Sequence, residues 1–418
     1  MIVKNTPFKI NIFRILVFVF ILVLQYDTMA QTVNFYYDRA IARMKKKEYD
    51  AAIKDFKTVL SKDKNYAEAF YNLGIIYNVK KQKLEALSYF NKAIKIDSKY
   101  YSALIHRANL YYALGRKSEA KSDFSAVISK KPNLVIAYEK RGFIYFDEEN
   151  YSSALNDFNR AEKYKTKNAN VYYKRAYIYE QKDDLEKAIA DYNNAIKLNQ
   201  DFMQAVYKRG LLYYKMKKYT LAIDDFRASK KEFDNKESTT YLAHALFKTK
   251  DIEQAIVYYT DVIKRFRSKE WEVFYNRGLA YMEQEKYEQA KKDFSKSISY
   301  KKDNYNAFYR RAEVYREMGK KSLAMRDFTK VINMNKRNPE PYFERGKFHW
   351  KGKELKPCIE DLSVYIKKAK KPKAEAYYLR GASYYLIGNQ QEACFDLKDA
   401  RDMGMKGALE MYKKICHN

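Results

Sequence analysis

The chain is short of residues that break or staple a backbone. Its 418 residues include 12 Gly, 6 Pro and 3 Cys, against 42 Tyr and 24 Phe. So few turn formers exclude a turn-rich β fold and favour helices joined by short loops. The cysteines show no paired metal-binding spacing. Histidine is scarce as well, and His106, His244, His349 and His417 are scattered singly, as packing or surface residues. HExxH, GxSxG and phosphate-loop motifs are all missing, so neither catalysis nor a cofactor is expected. Negative charge is also in deficit: 82 Lys and Arg face 52 Asp and Glu, for a net charge of +30.

Long apolar runs are missing but for one, Ile15–Leu24, "ILVFVFILVL". Lys4, Lys9 and Arg14 precede it, and the small residues Thr28 and Ala30 follow. A basic start, a short apolar core and a small-residue exit predict a signal peptide over residues 1–30, with Gln31 leading the mature chain. The run is too short to span a bilayer comfortably. The expectation is export to a periplasmic or extracellular space, the alternative being an uncleaved membrane anchor. Export argues against nucleic acid as the target of the positive charge. Acidic proteins, anionic glycans and lipid headgroups are the alternatives, unless the lysines merely solvate the surface.

What the chain has in abundance is repetition. Small residues recur about every 34 positions: Ala40, Gly74, Ala108, Gly142, Ala176, Gly210, Ala243, Gly278, Ala312, Gly346 and Gly381. Each is followed by a second small residue, as in Ala86 or Cys358, and then by a large apolar one, as in Phe90 or Leu362. The copies begin near 33, 67, 101, 135, 169, 203, 236, 271, 305, 339 and 374, and end near 407. Apolar residues at intervals of three and four make each copy a pair of antiparallel helices. A lone pair cannot bury its own face, so the copies must stack.

Counted from each start, position 7 is Arg and position 23 is Asp in nine copies. The pairs are Arg39 with Asp55, Arg107 with Asp123, Arg141 with Asp157, Arg175 with Asp191, and Arg209 with Asp225. Arg277 with Asp293, Arg311 with Asp327, Arg345 with Asp361, and Arg380 with Asp396 complete the set. The second copy has Leu73 with Tyr89 and the seventh has Leu242 with Tyr258, so both members change together. In a hairpin turning near position 15, positions 7 and 23 face each other. The reading is an ion pair within each copy that fixes hairpin register, the lesser alternative being an arginine ladder for phosphates. If part-exposed, such a pair couples by about 0.5–1 kcal/mol. Without the ion pair, and after the polar stretch "KEFDNKESTT", the seventh copy is expected to be the weak joint.

The repeat resembles the tetratricopeptide family over most of the chain, in its period and in Gly or Ala at position 8, Tyr at 11, Ala at 20 and Phe or Tyr at 24. The family's proline at position 32 is present only as Pro132. The resemblance implies an all-α, right-handed superhelical solenoid whose concave wall is built from first helices. It also implies an extra closing helix, here residues 408–418. The groove positions would then be position 5 (Tyr37, Tyr71, Tyr173, Tyr207, Tyr275, Tyr309, Phe343 and Tyr378) and position 12 (Tyr112, Phe146, Tyr214, Phe247, Trp350 and Tyr385). These rings would either line an aromatic groove or simply pack against neighbouring helices. Lys140, Lys174, Lys208 and Arg310 at position 6 would bias the rim towards anions. Some family members hold C-terminal carboxylates with groove Lys and Asn. Here position 5 has no Lys and position 9 is Asn only at Asn109, so the resemblance does not extend to that mode.

The functional expectation is a non-catalytic scaffold for a protein or peptide segment, with an acidic partner favoured. Envelope polysaccharide is the second reading and nucleic acid the third. Cys358, at a small-residue position, is expected to be a buried free thiol. Cys394 and Cys416 either join the closing helix to the last copy or remain two separate thiols.

Overall fold

The computed structural model describes residues 32–416 together with Ile15, Leu16, Phe18 and Val19. The remainder of the N-terminal leader expectation falls outside the described residues. The chain divides into two compact units, Met1–Gln200 and Asp201–Asn418. In the first, helix α1 (32–45) pairs with α2 (Tyr49–Lys62), α3 (Ala67–Val79) with α4 (Lys83–Ile96), α5 (Tyr101–Ala113) with α6 (Lys117–Lys130), α7 (Val135–Asp147) with α8 (Tyr151–Lys163), and α9 (Ala169–Gln181) with α10 (Leu185–Leu198). In the second, α11 (Met203–Lys215) pairs with α12 (Tyr219–Ser229), α13 (Lys236–Lys248) with α14 (Ile252–Lys264), α15 (Trp271–Glu283) with α16 (Tyr287–Tyr300), α17 (Tyr305–Glu317) with α18 (Lys321–Met334), α19 (Glu340–Lys351) with α20 (Leu355–Lys368), and α21 (Ala374–Leu386) with α22 (Gln390–Asp402). Helix α23 (Lys406–Cys416) packs on α22, and it begins two residues before the predicted 408. Within each unit this is an all-α repeat solenoid.

The small positions work by close approach. A Cβ on Gly74 would lie 2.6 Å from the Phe90 ring, so α3 and α4 meet there without a side chain between them. Phe56, Phe90, Phe124, Phe158, Phe226, Phe294 and Phe328 are all fully buried beside such contacts.

Each hairpin turns through a left-handed residue at position 15. The amide N–H after it reaches back to position 11, as in Gln82 to Tyr77 (2.9 Å) and Lys218 to Tyr213 (2.8 Å). This is the glycine-favouring way to end a helix. Gly115, Gly319 and Gly388 serve in three copies, but Lys47, Lys81, Glu149, Asp183, Lys217, Lys250, Glu285 and Lys353 hold the same positive φ elsewhere. A side chain in this conformation is strained, whereas glycine is not. Lys217→Gly, with φ 61° in the parent, should therefore raise stability by up to about 1 kcal/mol, read as a higher denaturation midpoint.

In the seventh copy, expected to be the weak joint, apolar packing stands where the ion pair is missing. Leu242, Leu246, Tyr259 and Val262 join Tyr207, Phe226 and Val273 in one buried apolar cluster. Well-packed apolar groups commonly replace a buried ion pair at no loss of stability.

Candidate functional site

All nine Arg–Asp pairs are in contact, and each is bidentate. Arg Nε donates to Asp Oδ2 and Arg Nη2 to Asp Oδ1, at 2.6–2.9 Å throughout. The aspartate side of every pair is dry, whereas every arginine but Arg175 keeps part of its side chain exposed. The nine aspartates are only 2–6% accessible, because each sits between its own hairpin helices. Arg175 is buried with its partner, and its guanidinium is raised despite that burial by Asp191 and Glu162. Such a pair is costly to break from one side and adds little to the charge a ligand meets.

The remaining guanidinium nitrogen makes a bond that the sequence reading missed. Arg Nη1 donates to position 25 of the preceding copy, at 2.7–3.0 Å: Arg107 to Asn91, Arg141 to Ser125, Arg175 to Asn159, Arg277 to Thr260, Arg311 to Ser295, Arg345 to Thr329 and Arg380 to Ser363. One arginine thus fixes its own hairpin and ties it to the copy before. The signal was present. Position 25 is Ser, Thr or Asn before an Arg copy, and it is Lys57 and Arg227 before the copies carrying Leu73 and Leu242.

The aromatic wall needs correction. Only Tyr112 and Tyr385 among the fourteen rings are exposed, while Tyr207 and Phe343 are buried and the rest half-buried. The position 5 rings pack on the large residue of their own copy: Tyr37 on Phe56, Tyr71 on Phe90, Tyr173 on Tyr192, Tyr207 on Phe226, Tyr275 on Phe294 and Tyr309 on Phe328. Chain leaving the copy then covers several of them, with Tyr66 over Tyr37, Tyr100 over Tyr71 and Phe233 over Tyr207. Phe343 meets Tyr365, and Tyr378 lies against Gly407 of α23. Of the position 12 rings, Phe146 rests on Tyr151 and Tyr177, and Tyr214 on Tyr219 and Tyr241. Phe247 and Trp350 pack against the apolar clusters of their own copies. The cause is geometric. A first helix is flanked by its partner and by the next copy, so its buried arc is wider than one stripe.

A cavity does open on the first-helix face of the first unit. It holds about 380 Å³ and is lined from α5, α7 and α9 by Asn109, Tyr112, Lys140, Phe143, Asp147 and Lys174, with Asn168 and Asn170 at its edge. Tyr112 donates its hydroxyl to Asp147, which pushes the phenol up to about 12. Lys174 is 4.0 Å from Asp147 and lies over the Phe146 ring at 4.0 Å. Asn168 and Thr166 both donate to the buried carboxylate of Glu139, fixing the rim. Lys140 has no carboxylate partner among the described residues. Two ammonium groups against one engaged carboxylate leave the cavity cationic, with amides and rings as its other walls. Asn109, Lys140, Lys174 and Tyr112 were read from the sequence, whereas Asp147, Asn168 and Asn170 were not. Of the other basic rim residues, Arg310 is held by Glu313 at 2.9 Å.

Sequence models of the tetratricopeptide repeat match residues 67–100, 271–304 and 305–338, and related repeat models match 40–78, 178–217, 102–133 and 204–235, together more than half of the chain. The chain belongs to the tetratricopeptide repeat family. Members of this family typically mediate protein–protein interaction and are generally non-catalytic scaffolds. Solved structures similar to this tetratricopeptide repeat protein include MamA (21% identical, covering 41% of this chain and 93% of that one, TM-score 0.38). Yeast Tom70 is 14% identical and covers 86% of this chain and 96% of its own, with a TM-score of 0.36. PilF of Pseudomonas aeruginosa is 17% identical and covers 52% and 96%, with a TM-score of 0.40. No curated protein matches the chain. Among the described residues no helix is long and apolar enough to cross a membrane.

A histidine on α13 meets α15. Burial, with Lys248 nearby, pushes His244 down to about 4, and the Asn276 amide lies 2.9 Å from its Nε2. A histidine depressed in the folded state stabilises fully above its unfolded value of about 6.5, and that stability is lost as the pH falls towards the folded one. Roughly 2 kcal/mol should go between about pH 6.5 and pH 4.5. Melting curves over this range should be flatter for His244→Gln than for the parent.

Proposed function

We propose that this protein is a non-catalytic scaffold that seats an extended acidic segment of a partner protein on the first-helix face of its first unit. The observation that carries this is the cationic cavity shared by α5, α7 and α9. Three successive copies contribute to it, so a segment running along the array would meet Asn109 and Tyr112, then Lys140, then Asn170 and Lys174. Amide side chains suit a peptide backbone, while lysines suit its carboxylates without demanding one fixed geometry. The arginines of position 7 take no part, being spent on Asp partners. Export by the N-terminal leader belongs to the same proposal, and N-terminal sequencing of the mature protein should begin at Gln31.

A fluorescent Glu-rich peptide tests the site. Lys140→Glu with Lys174→Glu should weaken its binding by about tenfold or more, with a smaller salt dependence than the parent shows. Equal affinity in parent and variant would remove the cavity from consideration.

A further inference from the structure

The junction between the first and second copies carries a second basic cavity, away from the one between α5, α7 and α9. Here the clamp is deleted at all three of its points: Arg is replaced by Leu73, Asp by Tyr89, and the small polar residue of the copy before by Lys57. Where a carboxylate would stand there is an aromatic stack. Tyr89 lies on Tyr77 (5.1 Å between centroids) and beside Phe70 (6.3 Å). Lys92 reaches over both Phe70 and Tyr89, at 5.7 and 5.2 Å. Beside this stack is a cavity of about 480 Å³, lined by Lys64, Asn65, Phe70, Lys92, Lys95 and Ile96.

Three ammonium groups converge there, and among the described residues none is paired with a carboxylate. The nearest acids along the chain, Asp63 and Asp97, accept the N–H of Asn65 and of Lys99, both at 2.8 Å. The seventh copy shows what the same deletion looks like when it is only structural. There Leu242 enters an apolar cluster, and Lys230 over Tyr258 has Asp234 and Asp261 close by, both paired with Arg265. At the first junction the flanking Asp63 and Asp97 accept backbone N–H groups and pair with none of the three lysines.

We infer that this cavity binds an acidic saccharide, with a sugar ring laid on Phe70 and its carboxylate among Lys64, Lys92 and Lys95. One half-buried ring beside a pocket of this size suits one or two sugar units. A nucleic acid would need a succession of open stacking platforms along a basic track. The position equivalent to Phe70 in the following copy is Leu104, which offers no ring. The site is independent of the peptide-binding proposal.

Calorimetric titration of the whole protein with an oligogalacturonate tests it. The triple variant Lys64→Gln, Lys92→Gln, Lys95→Gln should bind about tenfold more weakly or worse. Phe70→Leu should also weaken binding. The lysine variant is a surface change and carries the test alone if Phe70→Leu lowers the melting temperature. Undiminished binding by the triple variant would overturn the proposal. So would inorganic phosphate binding as tightly as the saccharide, or single-stranded DNA displacing it from the same lysines.

Discussion

Arg175→Ala should destabilise the fifth copy by about 3–5 kcal/mol, because it strands a buried carboxylate. Asp191 is 3% accessible, and Arg175 donates to both its oxygens, at 2.6 and 2.7 Å. The same arginine binds Glu162 and ties back to Asn159 at 3.0 Å, so the loss should spread into the fourth copy. Repeat arrays open locally, so hydrogen exchange through α8, α9 and α10 is the better measure than a single melting midpoint. The chain itself supplies the control. Its second and seventh copies hold Leu with Tyr at the two positions, after Lys57 and Arg227. Arg175→Leu, Asp191→Tyr and Asn159→Lys together should therefore recover most of the protection that Arg175→Ala removes. A triple variant as unprotected as the single one would show that the stranded carboxylate is not the cause.

Reduction of the second-unit disulfide should free the closing helix. Cys394 on α22 and Cys416 on α23 are bonded, with Cα atoms 5.7 Å apart at a sequence separation of 22. Closing a loop of this length contributes about 3 kcal/mol. What else holds α23 is modest: Ala408 and Ile415 are buried, and the Gln390 side-chain amide donates to the Ile415 carbonyl at 2.5 Å. Reductant, or Cys416→Ser, should raise hydrogen exchange across residues 406–416 and leave the earlier copies unaffected. Cys358 is buried as a free thiol beside the Ser383 hydroxyl, so it should resist alkylation in the folded protein. Unchanged protection of α23 after reduction would show that packing alone holds it.

The period, the hairpins and the pairing of position 7 with position 23 were legible in the sequence. Each depends only on residues within one copy, and the copies vary in concert. The turn at position 15 was placed by the same register, although nothing in the period says that eight copies would fill a left-handed turn with Lys, Glu or Asp. The peptide cavity was half legible. Lys140 and Lys174 stood out at position 6 of adjacent copies, but Asp147, Asn168 and Asn170 gain meaning only when α5, α7 and α9 lie side by side.

By itself, then, the sequence determined an all-α repeat array, its hairpin register and its nine ion pairs, because helical periodicity and facing positions are local properties. The tertiary structure alone decided that the aspartates are dry, that seven of the arginines reach back a copy, and that the position 5 rings are walls of the core. It also decided where cavities remain. The reason is common to all of these: burial on a repeat's flank is set by how closely the next copy approaches, and that distance is not written in the period of any single copy.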